Sequence, residues 1–160
     1  MTAGENWRGI VASSLNWEQA HANFDKAIAG LAHELRGTRP ANFPHSVWDL
    51  VDHIRRTQND LLEFCRNPKY VETMKWPDDY WPAPGQPTED QWNASVAGIH
   101  HDTAALATFT IEDDRDLTMK IPHGTGQTYL RSVLVAMDHN SYHVGQIIAV
   151  RRLIGAWTAS

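Results

Sequence analysis

His139 and His143 stand four residues apart in the stretch DHNSYHVGQ, Asp138 to Gln146, among apolar neighbours. In a helix, residues at i and i+4 lie ~5–6 Å apart at Cβ. One metal ion can therefore take an imidazole from each, at Zn–N distances of roughly 2.0–2.1 Å. At about 100° per residue, Ser132, Val135, Ala136, Gln146 and Val150 share the histidine face. That stripe is mostly apolar, so both rings are expected to point into the protein. A useful site needs a third ligand from another element. His53 suits the role, because it sits in the middle of a second helical segment with Asp49, Thr57 and Asp60 as polar face neighbours. The bland reading is a set of core histidines. It has to find partners for every buried ring nitrogen, which is harder for two rings at i and i+4 on an apolar face. His21 lies in the first segment and is ambiguous. His45, His100, His101 and His123 fall near helix ends or on uncertain faces and are expected at the surface.

Three neutral imidazoles leave the charge of a divalent ion uncompensated and a coordination position open, the mark of a catalytic rather than a structural site. A thiol entering that position would ionise and become a nucleophile at neutral pH. Water there would ionise with a pKa near ~7, which is the hydrolase alternative. A non-catalytic protein that binds metal or a small ligand is the other alternative. Either chemistry needs a proton-transfer group. Asp49 and Asp60 are weak candidates, and Gln146 is placed to orient a ligand or substrate; no catalytic residue is assigned. Asn140 and Tyr142 support the site or pack, and Trp81 and Trp92 line a pocket mouth or pack. Cys65, the single cysteine, falls on a different side of its helix from His53, so neither a nucleophile nor a ligand is expected there.

Helices must position these groups. Ala20, Phe24, Ala27, Ile28 and Leu31 fall on one side of a predicted first helix, and Glu5 to Ser14 form a short separate one. Gly37-Thr38-Arg39-Pro40 ends this unit. Ser46 is the N-cap of the second helix, with Asp49 at its N3 position, and Asn67-Pro68 closes it. Residues 68–87 hold five of the chain's 8 prolines, together with Trp76, Tyr80 and Trp81, and predict a long loop. Thr88 and Gln91 form a capping box for a third helix running to about Thr110. The acidic run Glu112 to Asp116 reads as a solvated turn, and Leu117 to Ile121 as a short extended piece. The fourth helix is capped by Thr125 or Thr128 and runs to about Ile154, where Gly155 supplies the stop. The fold class is thus all-α, a four-helix bundle with a short extra N-terminal helix.

With 160 residues, 42% hydrophobic and 21% charged, the chain is expected to be one globular domain over 1–160. A net charge of −5 without a basic run argues against nucleic acid. No apolar run approaches the ~20 residues a membrane span requires, and no signal peptide is read at MTAGENWRGI. A cytoplasmic location is expected. The other side of the fourth helix carries Leu134, Met137, Val144 and Ile148, with Ser141 and Gly145 between them. A helix apolar all round is covered all round, by the N-terminal helix or by a second subunit, and a homodimer is expected.

The stretch Asp138 to Ile147, continuing through Arg151-Arg152-Leu153-Ile154-Gly155-Ala156-Trp157, resembles the helix-four signature of the DinB-like (YfiT-like) metalloenzyme superfamily, HNxYHxGQI followed by an RRxLGxW tail. Ile154 stands as a departure in the tail. Pro44 to Ile54, Trp76 to Pro82 and Ile121 to Gly124 are similar to members of the same group. The resemblance implies an antiparallel four-helix bundle, often dimeric. It also implies a divalent metal, commonly zinc or nickel, held by three histidines that map onto His53, His139 and His143. Among relatives it implies thiol transferases and an isomerase that use low-molecular-weight thiols on small-molecule substrates.

Overall fold

The computed structural model describes residues 3–112 and 115–157. Its elements are α1 (Ala3–Ser14), α2 (Phe24–Ile28), α3 (Val47–Arg66), α4 (Glu89–Ile111) and α5 (Tyr129–Leu153). Single 3₁₀ turns stand at His33–Leu35 and Asp78–Tyr80. Among the described residues no strand forms; one isolated bridge, Lys120 to Thr128, accounts for the extended piece expected over 117–121. Asp113 and Asp114 of the expected acidic turn lie outside the described residues. The chain is an all-α bundle.

The three long helices begin where local chemistry dictates. Ser46 accepts a hydrogen bond from the Asp49 backbone N–H, and Asp49 accepts one from the Ser46 N–H. Thr88 and Gln91 do the same for α4. Of the two expected caps for α5, Thr128 is the one used, accepting from the Arg131 N–H. Each such cap satisfies a donor the helix leaves unpaired and is worth about 1 kcal/mol.

The N-terminal third departs from expectation. Only Phe24–Ile28 of the predicted first helix is α-helical, whereas the short N-terminal piece becomes the 12-residue α1 and packs on α4. The reason is local. Asn23 caps α2 at its start, accepting from the Lys26 N–H, and Gly30, at φ +66°, ends it in a left-handed turn. Phe24, Ala27 and Leu31 are buried regardless, so the apolar spacing reported burial rather than a continuous helix. Arg151, itself buried in α5, clamps this segment by donating to the carbonyls of Ala27 and Ala156.

Helix directions follow from cross-contacts. Along α3 and α4 the pairs Asp52–Ser95, Gln58–Ile99 and Asn59–Asp102 ascend together, so these two helices run parallel, a departure from the antiparallel arrangement expected of the bundle. Against α5, His53 meets His143, Gln58 meets Asn140 and Cys65 meets Ser132, so α5 runs opposite to α3. Arg8 donates to the carbonyls of Thr110 and Glu112 at the C-terminal end of α4, while Ser14 and Leu15 lie by Ile99 and Thr103 further back, so α1 runs opposite to α4. The parallel pair explains the long loop. After 20 residues of α3, about 30 Å of rise, the chain must travel back before α4 begins.

The core has two parts. Leu50, Ile54, Ile99, Ile147 and Val150 lie in one, and Leu62, Leu106, Phe109, Val133 and Ala136 in the other. Gln58 and Asn140 are buried polar residues between them, and His53 is buried beside the first. On α5, Val144 is in the core, but Leu134 is 38% exposed and Gly145 is also exposed. No described helix covers that strip completely.

Candidate metal centre

His53 comes from the middle of α3, and His139 and His143 come from successive turns of α5. The antiparallel packing of these helices brings the three rings together. One nitrogen of each lies within 4.8 Å of the others, and the Nε2 atoms of His53 and His139 are 3.0 Å apart. The nitrogens of a tetrahedral ion stand roughly 3.3 Å apart, so little adjustment separates this cluster from a ligand set. His53 is only 1% exposed, and His143 is also buried.

The outer nitrogens settle which atoms face inward. His53 Nδ1 lies 2.9 Å from the carbonyl oxygen of Tyr80 and donates to it. His143 Nδ1 lies 2.7 Å from Gln146 Oε1, and the Gln146 amide nitrogen donates to the Tyr142 hydroxyl. His139 Nδ1 lies a longer 3.5 Å from Asn140 Oδ1. Asn140 is itself oriented, since its amide donates to Gln58, whose own amide donates to the Ile99 carbonyl. These acceptors favour protons on Nδ1, firmly for His53 and His143 and weakly for His139, and the Nε2 atoms of His53 and His139 face each other. Outer acceptors of this kind fix tautomer and orientation in metal-ligating histidines. Burial lowers the pKa of all three rings, to about 4 for His139 and His143, where the neighbouring histidines push in the same direction. The rings are neutral at pH 7.

Convergent lone pairs at 3.0 Å repel unless a cation or a proton sits between them. A shared proton between His53 and His139 would come off His139 Nδ1 and give up only its long 3.5 Å contact to Asn140 Oδ1. It would do nothing for His143. The donor set therefore fits a divalent ion. No carboxylate joins the cluster among the described residues. Asp52, next in sequence to His53, turns its carboxylate to Arg55, Arg56 and Ser95.

The weak catalytic candidates divide. Gln146 is at the centre, against His143. Asp49, 1% exposed, is committed to the α3 cap and to Arg39 at 2.9 Å, although its Oδ1 has no partner among the described residues. Asp60 accepts from the hydroxyls of Tyr70 and Tyr80 at 2.7 and 2.8 Å. Both aspartates position other groups.

The crossover loop supplies the wall. It retraces α3 from its C-terminal end, touching Asp60 through Tyr70 and Tyr80, Arg56 through the Asp79 carbonyl, and His53 through the Tyr80 carbonyl. Trp81 then lies flat on the His53 ring at 3.8 Å between centroids and 3° between planes. His45 stacks on Trp81 at 4.1 Å. Expected at the surface, His45 is instead half-buried in this sandwich. Only its place just before the Ser46 cap hinted at it. Trp81 packs over the His53 ring and against the core rather than lining a pocket. Trp92 lies in the core under the Arg36 guanidinium instead. Trp76 and Tyr142 flank the histidines with 65% and 63% of their surface exposed, and form an aromatic rim.

The other histidines have separate partners. His100 pairs with Asp25, His101 with Asp102, and His123 Nε2 lies 2.9 Å from the Phe64 carbonyl oxygen. His21 is exposed and contacts the Ala22 carbonyl rather than the cluster. Cys65 is buried with its thiol against Ser132 of α5, and burial pushes that thiol up to about 11.

No curated protein and no solved structure matches the chain. The family model of the DinB superfamily matches residues 16–147, a span that takes in His53, the crossover loop, His139 and His143. A match over this share of the chain, on a helical bundle with three histidines converging from two helices, places the protein: the chain belongs to the DinB superfamily.

Proposed function

We propose that the protein is a divalent-metal-dependent enzyme, with zinc or nickel as the ion, that transfers a low-molecular-weight thiol onto a small electrophile. The observation that carries the reading is the donor set: three neutral imidazoles, each with an acceptor behind it and no carboxylate among them. His53, His139 and His143 would hold the ion. Bound with a free coordination position, such an ion lowers the pKa of a thiol that ligates it enough to make a nucleophile at neutral pH.

The chain's own residues support the rest. Tyr80, Gln146 and Asn140 orient the rings. Trp81 covers one face of His53 and excludes water from that side. The exposed rim of Trp76 and Tyr142 offers apolar surface to a small organic substrate.

The test combines metal content with turnover. Protein purified without an affinity tag should carry about one zinc or nickel per chain, and His139→Ala should lose it. Turnover of an electrophile such as a chloronitroarene should require both the metal and an added thiol, and a chelator should stop it. Turnover with water alone would replace the transferase reading with a hydrolase. Absence of metal, with none taken up on addition, would overturn the proposal.

A further inference from the structure

Asp52 and its two arginines are not used by the histidine centre. Asp52 is 2% exposed, and its carboxylate accepts from Arg55 Nε and Arg56 Nε at 2.7 Å each and from Ser95 Oγ at 2.8 Å. One buried negative charge therefore holds two guanidinium groups through their Nε atoms. Arg56 Nη1 also donates to the Asp79 carbonyl. Among the described residues, neither Nη of Arg55 and no further Nη of Arg56 has an acceptor. Both side chains remain about one-third exposed.

These arginines line a cleft of about 540 Å³ between α3, the Pro82–Gln86 stretch of the crossover loop, and the Gln91–Ser95 turn of α4. Gly98 makes room for this arrangement. The Arg55 chain passes 3.2 Å from where a Cβ on residue 98 would stand, so a larger residue there would push it aside. The titratable groups lining the cleft are Asp52, Arg55 and Arg56, which leaves it one net positive charge, in a chain whose net charge is −5. Its volume is that of a small-molecule site rather than an ion site.

The geometry points to a second binding site in this cleft for a small organic anion. Its carboxylate or phosphate would be held by the outward Nη atoms of Arg55 and Arg56, and its body would lie between Pro82 and Ala94. A guanidinium anchored through Nε presents its remaining N–H groups in fixed directions, which is what oxyanion recognition needs. Asp52 sets that direction and stabilises the two like charges side by side. The site stands independently of the metal reading. It adjoins the histidine centre along the chain, since Asp52 precedes His53 in α3 and Pro82 follows Trp81.

The experiment is calorimetric titration of the full, metal-loaded protein with phenyl phosphate and, separately, with benzoate, against sodium chloride at matched ionic strength. Saturable binding of one anion per chain is expected for at least one probe, and the preferred probe identifies phosphate or carboxylate as the natural group. Arg55→Gln should weaken it by roughly tenfold or more, as expected for a lost charge-assisted pair. Arg66→Gln, in a surface pair with Glu63 at the other end of α3, should leave it unchanged. Ala94→Trp fills the cleft from the exposed face of α4 without removing any member of the Asp52 network, and it decides the matter if Arg55→Gln fails to fold. Binding that survives Ala94→Trp belongs elsewhere, the histidine centre included, and overturns the inference. So does the absence of saturable binding by either probe.

Discussion

Asp60→Ala tests whether the crossover loop is part of the metal centre or only rests against it. Asp60 is half-buried on α3 and accepts from Tyr70 and Tyr80 at 2.7 and 2.8 Å. Burial raises the pKa values of both phenols well above the usual tyrosine range, and the hydrogen bonds to Asp60 and its charge push the same way. A hydrogen bond to a charged group is worth about 1.5–3 kcal/mol. Tyr70 is half-exposed, and its freed hydroxyl can turn to water; Tyr80 is 5% exposed and has less recourse. The total cost of Asp60→Ala should therefore be about 2–4 kcal/mol. Tyr80→Phe alone should cost about 1–2 kcal/mol, and the double variant should cost less than the sum, because one hydrogen bond is removed twice.

The informative readout is metal affinity. The Tyr80 hydroxyl is tied to Asp60 while its carbonyl holds His53 Nδ1. Loosening the first should loosen the second. Changes to such outer partners typically weaken metal affinity 10–100-fold. The Arg56 contact to the Asp79 carbonyl and the Trp81 stack still hold the loop, so roughly tenfold is expected. Chemical denaturation gives the stability, and competition with a chromophoric chelator at pH 7 gives the dissociation constant. Tyr70→Phe is the control, expected to lose stability but not affinity. If Asp60→Ala is destabilised as stated yet binds metal within twofold of the parent, the loop does not position His53, and the reasoning from Tyr80 to the centre is wrong.

Two other expectations follow. The Cys65 thiol, raised from 9.0 to about 11 by burial, should resist alkylation by iodoacetamide up to pH 9 in the folded protein and react readily once unfolded. Because the folded value is the higher one, its contribution to stability is full below pH 9.0 and is lost as the pH rises toward 11; fast alkylation of folded protein at pH 8 would contradict this. The Leu134–Gly145 strip of α5, left uncovered in the single chain, is proposed as part of a homodimer interface. Sedimentation across micromolar concentrations should show a dimer that Leu134→Glu shifts toward monomer, and a parent that stays monomeric throughout would refute it.

The caps of α3 and α4 were legible because a capping box is written within four residues. The convergence of His53, His139 and His143 was legible because each lies on a long helix whose buried face can be counted from sequence. What escaped notice depends on contacts between distant segments. The His45–Trp81–His53 stack joins three places, one of them in a loop, and no helical period reports where a loop lies. The first helix was misplaced because apolar spacing at Phe24, Ala27 and Leu31 measures burial, while Asn23 and Gly30 decide how far the helix extends. Asp52 with Arg55 and Arg56 did carry a signal, since carboxylate and cation at i+3 and i+4 share a helix face. That face lies one position from the His53 face.

The parallel course of α3 and α4 links the fold to the site. Two antiparallel neighbours can be joined by a few residues, and the His53 face of α3 would then have only α5 and solvent beside it. Parallel neighbours require a return path as long as the helix itself, and that path has to lie against something. Here it lies on α3, on the side where His53 points. The backbone of that path provides the carbonyl that sets the His53 tautomer, and its indole provides the wall over the ring. The proline density of residues 68–87 suits the same task, because a chain that cannot form a helix stays extended enough to cover the distance. Shortening this loop would therefore be expected to damage the metal centre before it damaged the bundle, whose two core clusters include no buried residue from the loop.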